Sequence, residues 1–164
     1  MAKKQSKPTE EHCTIIRDTR EKSGYWTFSS SKFITDITTK KLDTGDYSIE
    51  GYESIFCIER KRNTAEIAGN VTEPRFKDCL ERLAEFRYKF IICEFGINEI
   101  LEWPYASGLH YNIIQKIKTT PEFILSCMAK IQVDFGIPII YTDGKFGAEK
   151  VAETIIKRVL KLHQ

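Results

Sequence analysis

The chain has 164 residues, of which 41% are hydrophobic and 12% aromatic, a composition that supports one folded domain with a buried core and excludes a disordered protein. Its 25 Lys and Arg residues nearly balance 23 Asp and Glu residues, leaving a net charge of +2. This balance excludes a protein that holds nucleic acid by overall positive charge, so any polyanion must bind to a local patch.

The five cysteines are scattered along the chain without a CxxC pair. An odd number of cysteines, mostly within apolar runs, indicates buried free thiols in a reducing compartment rather than a disulfide framework. The adjacent His12 and Cys13 have no second pair at the spacing of a zinc finger, so we expect no zinc site.

The amino terminus is basic and contains no apolar segment of the kind found in signal peptides. We therefore expect residues 1–12 to form a flexible tail and residues 13–164 to form a single domain. We also expect a soluble intracellular protein without membrane contact, which would be cytoplasmic in a bacterium or phage and nuclear in a eukaryote.

The first half of the chain carries the composition of β-strands. The run CTIIRD, residues 13–18, predicts a strand that delivers Asp18 into a loop. Residues 33–49 are rich in Thr and Ile, and ESIFCIER at residues 53–60 predicts a further strand.

The second half alternates helices and strands. An amphipathic helix is predicted over residues 75–87 and a buried central strand over residues 88–95. A helix beginning at Thr120 and Pro121 follows, then a strand in residues 136–144. The last helix is expected to bury a stripe made of Ala148, Val151, Ile155, Val159 and Leu162. Strands followed by this alternation predict an α/β fold, a mixed sheet with helices packed on it.

Acidic and basic side chains concentrate in residues 44–62, TGDYSIEGYESIFCIERKR. In a strand, side chains at positions i and i+2 project from the same face, so Glu59 and Lys61 must point together. If GDYSI and IFCIER pair as an antiparallel hairpin through a loop at residues 51–54, Asp46 falls opposite Glu59. Two carboxylates would then meet on one face.

Two neighbouring carboxylates repel each other and usually share a proton or a cation. Oxygen ligands select a hard divalent ion such as Mg²⁺ or Mn²⁺, and a lysine beside it can orient a water for attack on a phosphodiester. The alternative places Asp46 in a turn and pairs Glu59 with Lys61 or Arg60 on a solvated face. The spacing taken alone favours this alternative.

Three motifs shift that balance: DTRE at residues 18–21, LDTGDY at residues 42–47 and IERKR at residues 58–62. Together they resemble the DxRE, GDY and ERK pattern of the xeroderma pigmentosum group F (XPF) endonuclease family. The segment over residues 74–95 also resembles the helix and central strand of that family. The resemblance implies the restriction-endonuclease-like core of the PD-(D/E)XK superfamily, a mixed central sheet flanked by helices.

The resemblance also implies roles for the residues of the hairpin. Asp46 and Glu59 would be metal ligands, with the main-chain carbonyl of Arg60 nearby. Lys61 would position or activate the attacking water.

Further residues are implied to line the same cleft. Asp18 and Glu21 would lie near the metal or its waters, and Arg20 would contact the scissile phosphate. Arg60 and Arg75 are further candidates for phosphate contacts.

The sequence departs from the family pattern in two places. The family usually carries an acid four positions after the lysine, where this chain has Ala65. Glu66 is next along, but one residue turns a helical side chain by about 100°, so the number of metal ions stays open. The chain also ends after its last predicted helix, so we expect no helix-hairpin-helix domain.

The activity implied by the resemblance is that of an endonuclease dependent on Mg²⁺ or Mn²⁺. Its expected substrate is branched, flap or junction DNA in repair or recombination, bound by a homodimer or heterodimer. Two alternatives remain: a noncatalytic DNA-binding scaffold subunit and a nonspecific deoxyribonuclease.

A separate segment carries Trp103, Tyr105 and Tyr111, followed by Lys116 and Lys118. In one interpretation its aromatic rings stack on exposed bases while the lysines hold phosphates. In the other, the aromatic rings cap the core.

Overall fold

A single mixed sheet organises the computed structural model, which describes residues 12–164. The predicted tail therefore lies outside the described residues, apart from His12. The six strands are β1 (Cys13–Arg17), β2 (Ile34–Thr39), β3 (Tyr47–Ile49), β4 (Phe56–Lys61), β5 (Tyr88–Cys93) and β6 (Ile139–Tyr141). Their spatial order is β2-β1-β3-β4-β5-β6. Strand β3 is antiparallel to β1 and β4, while the other neighbours are parallel, which confirms the predicted mixed sheet.

Helices cover both faces of the sheet. They are α1 (Thr64–Asn70), α2 (Pro74–Ala84), α3 (Ile97–Leu101), α4 (Tyr111–Ile114), α5 (Pro121–Asp134) and α6 (Lys145–Leu162). One buried cluster joins α6 to the sheet, and a second joins α1, α2, α3 and α5 to its other face. No helix within the described part of the chain has the length and apolarity needed to cross a lipid bilayer.

Local signals explain where the main helices begin and which faces they bury. The hydroxyl of Thr120 accepts a hydrogen bond from the amide of Phe123, and Pro121 occupies the first helical position of α5, as predicted. In α2, the predicted stripe buries Phe76, Leu80 and Leu83 against the sheet. These helices therefore follow directly from capping chemistry and apolar periodicity.

The buried face of α6 differs from the predicted stripe. Leu162 is 53% exposed, and Val151 and Ile155 are only half-buried. The face turned to the core instead carries Ala148, Glu149, Ala152, Glu153, Ile156, Val159 and Leu160.

Two carboxylates within this face explain the error. Glu149 accepts hydrogen bonds from the amides of Thr27 and Phe28, and Glu153 accepts one from Lys157. A buried carboxylate is tolerated where such partners satisfy it, and a stripe drawn from apolar residues alone cannot include it.

The hairpin of β3 and β4 has the predicted register. Tyr47 lies opposite Ile58, so one further step along the antiparallel pair sets Asp46 opposite Glu59. The connection covers residues 50–55 rather than the predicted 51–54, because Tyr52 closes a helical turn with Phe56 that shortens both strands.

The cysteines are free thiols in or near the core, as predicted. Cys13, Cys57 and Cys93 are buried, while Cys79 and Cys127 are half-buried. Burial raises the pKa of the Cys93 thiol to about 12 and that of Cys79 to about 11, so both stay protonated at neutral pH.

Candidate active site

The candidate site lies at the edge of the sheet where β1, β4 and β5 end and β3 begins. Each strand delivers a charged residue there: Asp18 follows β1, Asp46 precedes β3, and Glu94 follows β5. The end of β4 adds Glu59 and Lys61. Residues far apart in the sequence thus converge because parallel strands end together.

Asp46 is fixed by the backbone of both neighbouring strands. Its amide donates to the carbonyl of Ile58 at 2.9 Å, and its carbonyl accepts from the amide of Asp18 at 2.8 Å. One carboxylate oxygen, Oδ2, accepts a hydrogen bond from the amide of Arg60 at 2.7 Å. Burial and the charge of Glu59 raise the pKa of Asp46 well above its ordinary value. The charge of Glu59 therefore acts on Asp46 across the hairpin.

Gly45 allows this close approach. Its φ of +79° lies in the left-handed region, and an added Cβ would overlap the sulfur of Cys57 and lie 3.0 Å from the carbonyl oxygen of Ile58. Any larger residue would push the loop away from β4, and Asp46 with it.

Lys61 is held beside the acid pair. Its Nζ donates to Oε1 of Glu59 at 2.8 Å, and its side chain is only 4% exposed. Burial lowers the pKa of Lys61, but the charge and hydrogen bond of Glu59 raise it more, so the pKa lies above its ordinary value. Lys61 is thus a fixed ammonium that can orient a water or stabilise negative charge.

Asp18 and Arg20 form a clamp on the loop before β3. Asp18 accepts from the amide of Leu42 at 2.6 Å and from Nε of Arg20 at 2.7 Å. Burial raises the pKa of Asp18, but these hydrogen bonds outweigh it and leave the pKa below its ordinary value. Both of its carboxylate oxygens are engaged, so Asp18 acts by positioning Arg20, whose side chain is 62% exposed at the cleft.

Arg60 does not match its predicted role as a phosphate contact. Its side chain is 2% exposed and points away from Glu59 and Lys61. Its Nε donates to Glu94 at 2.7 Å, and its Nη2 donates to the carbonyl of Gly24 at 2.6 Å. The guanidinium is therefore a buried anchor without surface to offer DNA.

Glu21 lies between this anchor and the acid pair. Its Oε2 is 3.3 Å from Nη1 of Arg60, yet neither buried atom has a hydrogen-bond partner among the described residues. Its charge is also one of the influences that raise the pKa of Asp46. Glu21 is therefore a third acid at the site, with one oxygen left unsatisfied.

The remaining predicted residues lie at the margin. Arg75 is exposed at the start of α2, next to Phe76, whose ring centre is 5.2 Å from Nζ of Lys61. Oε2 of Glu66 accepts hydrogen bonds from the amide and side chain of Arg62, and the charge of Glu66 is one of the smaller influences that raise the pKa of Lys61. Within residues 12–164, no three His, Cys, Asp or Glu side chains form a ready-made metal cluster.

Sequence reasoning missed Glu94 and its link to Trp26. The indole nitrogen of Trp26 donates to Oε1 of Glu94 at 2.6 Å, the oxygen that also binds Arg60. The available signal was an acid directly after the buried strand that pairs with β4.

The aromatic segment after β5 combines both interpretations left open by the sequence. Trp103 is 5% exposed and donates its indole hydrogen to the carbonyl of Thr119, so it belongs to the core. Tyr105 and Tyr111 are 78% and 63% exposed. Only these two tyrosines therefore remain accessible to a base.

Comparison with known proteins identifies the family to which the chain belongs. The profile of the family described as "ERCC4 domain" matches residues 17–152, most of the chain. A comparison with curated protein sequences found no significant match.

Two solved structures have a similar fold. XPF from Aeropyrum pernix has a TM-score of 0.63 and 23% sequence identity, over 87% of this chain and 62% of that one. XPF from Aeropyrum pernix in complex with DNA has a TM-score of 0.67 and 22% identity, over 91% of this chain and 66% of that one. The chain thus spans slightly less than two thirds of the proteins it matches, and the likeness is one of fold.

Proposed function

The chain belongs to the ERCC4 domain family and has the XPF nuclease fold, and from this premise we propose that it is a divalent-metal-dependent DNA endonuclease. One observation carries the proposal: Tyr47 pairs with Ile58, which sets the neighbouring Asp46 against Glu59, and Lys61 is hydrogen-bonded to Glu59 at 2.8 Å. The reaction is hydrolysis of a phosphodiester bond.

The donor set fits Mg²⁺ or Mn²⁺. Mg²⁺ is usually held by one or two carboxylates, waters and substrate phosphates rather than by a complete protein cage, and this site offers two facing carboxylates. A cation would relieve the repulsion that raises the pKa of Asp46. It would also lie near Glu21, which has an unsatisfied buried oxygen. We assign Asp46 and Glu59 as ligands, with the main-chain carbonyl of Arg60 as a further oxygen.

Each remaining residue has a defined task. A cation held by Asp46 and Glu59 would supply Lewis-acid stabilisation of negative charge on the phosphoryl oxygens. Lys61 orients the attacking water and, as a fixed ammonium, stabilises charge that develops in the transition state. Arg20 binds the scissile phosphate in an orientation set by Asp18. Arg75 contacts a neighbouring phosphate from the start of α2.

The proposed substrate is branched, flap or junction DNA, recognised by shape through phosphate contacts. We further propose that residues 13–164 act as a single nuclease domain, and that a second copy or another subunit supplies additional surface for DNA. Repair or recombination of DNA is the setting in which such substrates arise.

A cleavage assay tests this function. Purified protein is incubated with Mg²⁺ or Mn²⁺ and labelled linear, flap and four-way DNA, together with Asp46→Asn, Lys61→Ala and the matched control Asp134→Asn, which alters an exposed acid on α5. We expect cutting of the branched DNA by the wild type and Asp134→Asn, and its loss in the other two variants.

Three outcomes would contradict separate parts of the proposal. A wild type that cuts nothing with either metal would leave a DNA-binding scaffold in place of an enzyme. Equal cutting of all three DNAs would remove the specificity for structure. Full activity of Asp46→Asn would remove the assigned metal site.

A further inference from the structure

A pocket of about 300 Å³ opens beside the candidate active site. It lies between the loop that precedes β3, the turn between β3 and β4, and the end of α2. Its walls are formed by Lys40, Lys41, Leu42, Asp43, Thr44, Ser48, Glu53, Ser54, Phe56 and Phe86. None of these residues has a role in the proposed hydrolysis.

The pocket and the acid pair share one face of the sheet. Asp46 and Ser48 are two residues apart, so they project from the same side of the chain, about 7 Å from each other along the strand. Ser48 lines the pocket, whereas Asp46 faces Glu59. A nucleotide next to one bound at the acid pair would therefore lie within reach of the pocket wall.

A direct hydrogen bond links the pocket wall to the residue proposed to hold the scissile phosphate. Nη2 of Arg20 donates to the carbonyl of Leu42 at 2.7 Å, and Asp18 binds the amide of Leu42. The loop that forms the wall also ends at Asp46. The pocket wall and Asp46 thus belong to one continuous segment, which Asp18 and Arg20 hold by hydrogen bonds to Leu42.

The chemistry of the pocket suits a nucleobase better than a phosphate. Nζ of Lys40 lies 3.2 Å from Oε1 of Glu53, and the lining as a whole carries two lysines and two acids. The lining otherwise offers the hydroxyl of the exposed Ser54 and the half-buried ring of Phe86, since Phe56 is 0% exposed and packs in the core. Balanced charges give no net attraction for an anion, whereas mixed donors and acceptors beside an aromatic ring match the edge and face of a base.

We propose that this pocket binds an unstacked nucleobase of the DNA strand, about one nucleotide from the scissile phosphate. The inference rests on the proposed endonuclease function and deepens it. Extracting a base from a duplex costs free energy, least where the base is already unpaired. The pocket would therefore favour DNA with unpaired nucleotides next to the cut, which junctions and flaps provide.

A binding experiment tests the pocket without relying on cleavage. Labelled single-stranded DNA is titrated with the full chain in EDTA, and fluorescence anisotropy gives the Kd. A series of strands carries one abasic site at successive positions. We expect one position at which loss of the base weakens binding by at least about fivefold, the effect of one stacked base.

Substitutions then connect that effect to the pocket. Ser54 is exposed in the turn, so Ser54→Trp can fill the pocket with little effect on folding, and Ser54→Ala leaves it open. We expect Ser54→Trp to bind intact and abasic strands equally, and Ser54→Ala to retain the difference. Lys41→Ala, compared with the exposed Lys130→Ala on α5, should reduce the same difference.

The results separate this inference from the endonuclease proposal. A wild type without any preference for the base, or a preference that survives in Ser54→Trp, would overturn the pocket even if the protein cuts DNA. The predicted pattern in a protein that cuts nothing would uphold the pocket and remove the enzyme. Displacement of the strand by micromolar deoxyadenosine monophosphate would assign the pocket to a free nucleotide and overturn the strand proposal.

Discussion

The two faces of β4 carry charges in opposite arrangements. On one face, Glu59 meets Asp46, so like charges lie together with Lys61 as their partner. On the other face, Arg60 is buried among Glu94, Glu21 and the carbonyl of Gly24, so its charge is matched by opposite ones. Three consecutive residues are divided in this way because side chains alternate along a strand.

This contrast separates a pair of like charges, which we propose to hold a metal cation, from a group of acids that already surrounds the guanidinium of Arg60. The pKa of Asp46 lies well above its ordinary value, which means that the fold holds this carboxylate in an environment unfavourable to its charge. The amide of Arg60 meanwhile holds Asp46 in place at 2.7 Å. The face on which opposite charges meet thus supports the face of like charges through a shared backbone.

Removing the buried guanidinium of Arg60 should have the largest effect on the stability of the fold. Arg60→Met leaves Glu94 and Glu21 buried without their partner, so we expect a loss of about 3–5 kcal/mol in the free energy of unfolding. Urea denaturation measures it. Lys77→Ala, which breaks the exposed pair of Lys77 and Glu81, serves as the control and should change stability by less than about 1 kcal/mol. Similar losses in both variants would contradict the distinction between the two kinds of ion pair.

Gly45→Ala should have the second-largest effect on stability, because it pushes the loop that carries Asp46 away from β4. The left-handed backbone costs an alanine about 1–2 kcal/mol, and overlap with Cys57 and Ile58 adds about 1–3 kcal/mol. Gly51→Ala is a matched control, because Gly51 has a φ of +84° with open space around it and should show only the backbone effect. Thermal unfolding compares the two, and equal losses would show that the loop yields to the added methyl group.

The sequence predicted one face of β4 much better than the other. Alternation along a strand, hairpin pairing and three motifs were sufficient to bring Asp46, Glu59 and Lys61 together. All of these signals are local or belong to one hairpin. Arg60 was mistaken for a DNA contact because its burial depends on Glu94, which is distant in the sequence.

The same limit applied to α6. Periodicity predicted the helix, but the face that it buries includes Glu149, whose partners, the amides of Thr27 and Phe28, belong to a distant segment. Polar residues that are satisfied by distant segments look like surface residues in a sequence. Burial of charge is therefore the part of this fold that local patterns predict least.

The substitution Asp18→Asn tests how much the clamp formed by Asp18 and Arg20 contributes to stability. Asp18→Asn removes charge-assisted hydrogen bonds, so we expect a loss of about 2 kcal/mol at neutral pH. The pKa of Asp18 is lowered by folding, so its contribution is complete above the unfolded pKa of about 4 and is lost as the pH falls through the lower folded pKa. Urea midpoints of the two proteins should therefore approach each other in strong acid, and a constant gap would exclude an ionised Asp18 as the cause.

Asp46→Asn should have the smallest effect on stability, and the sign of that effect should depend on whether divalent metal is present. Without divalent metal, Asp46→Asn removes one of two facing charges while its carbonyl oxygen can still accept from Arg60, so the variant should equal or exceed the wild type in stability. Adding Mg²⁺ should stabilise the wild type by about 1–2 kcal/mol through binding to the folded state alone, and leave Asp46→Asn unchanged. Thermal unfolding in EDTA and in Mg²⁺ measures both. The Asp134→Asn control should follow the wild type, because a general effect of salt would shift all three proteins alike.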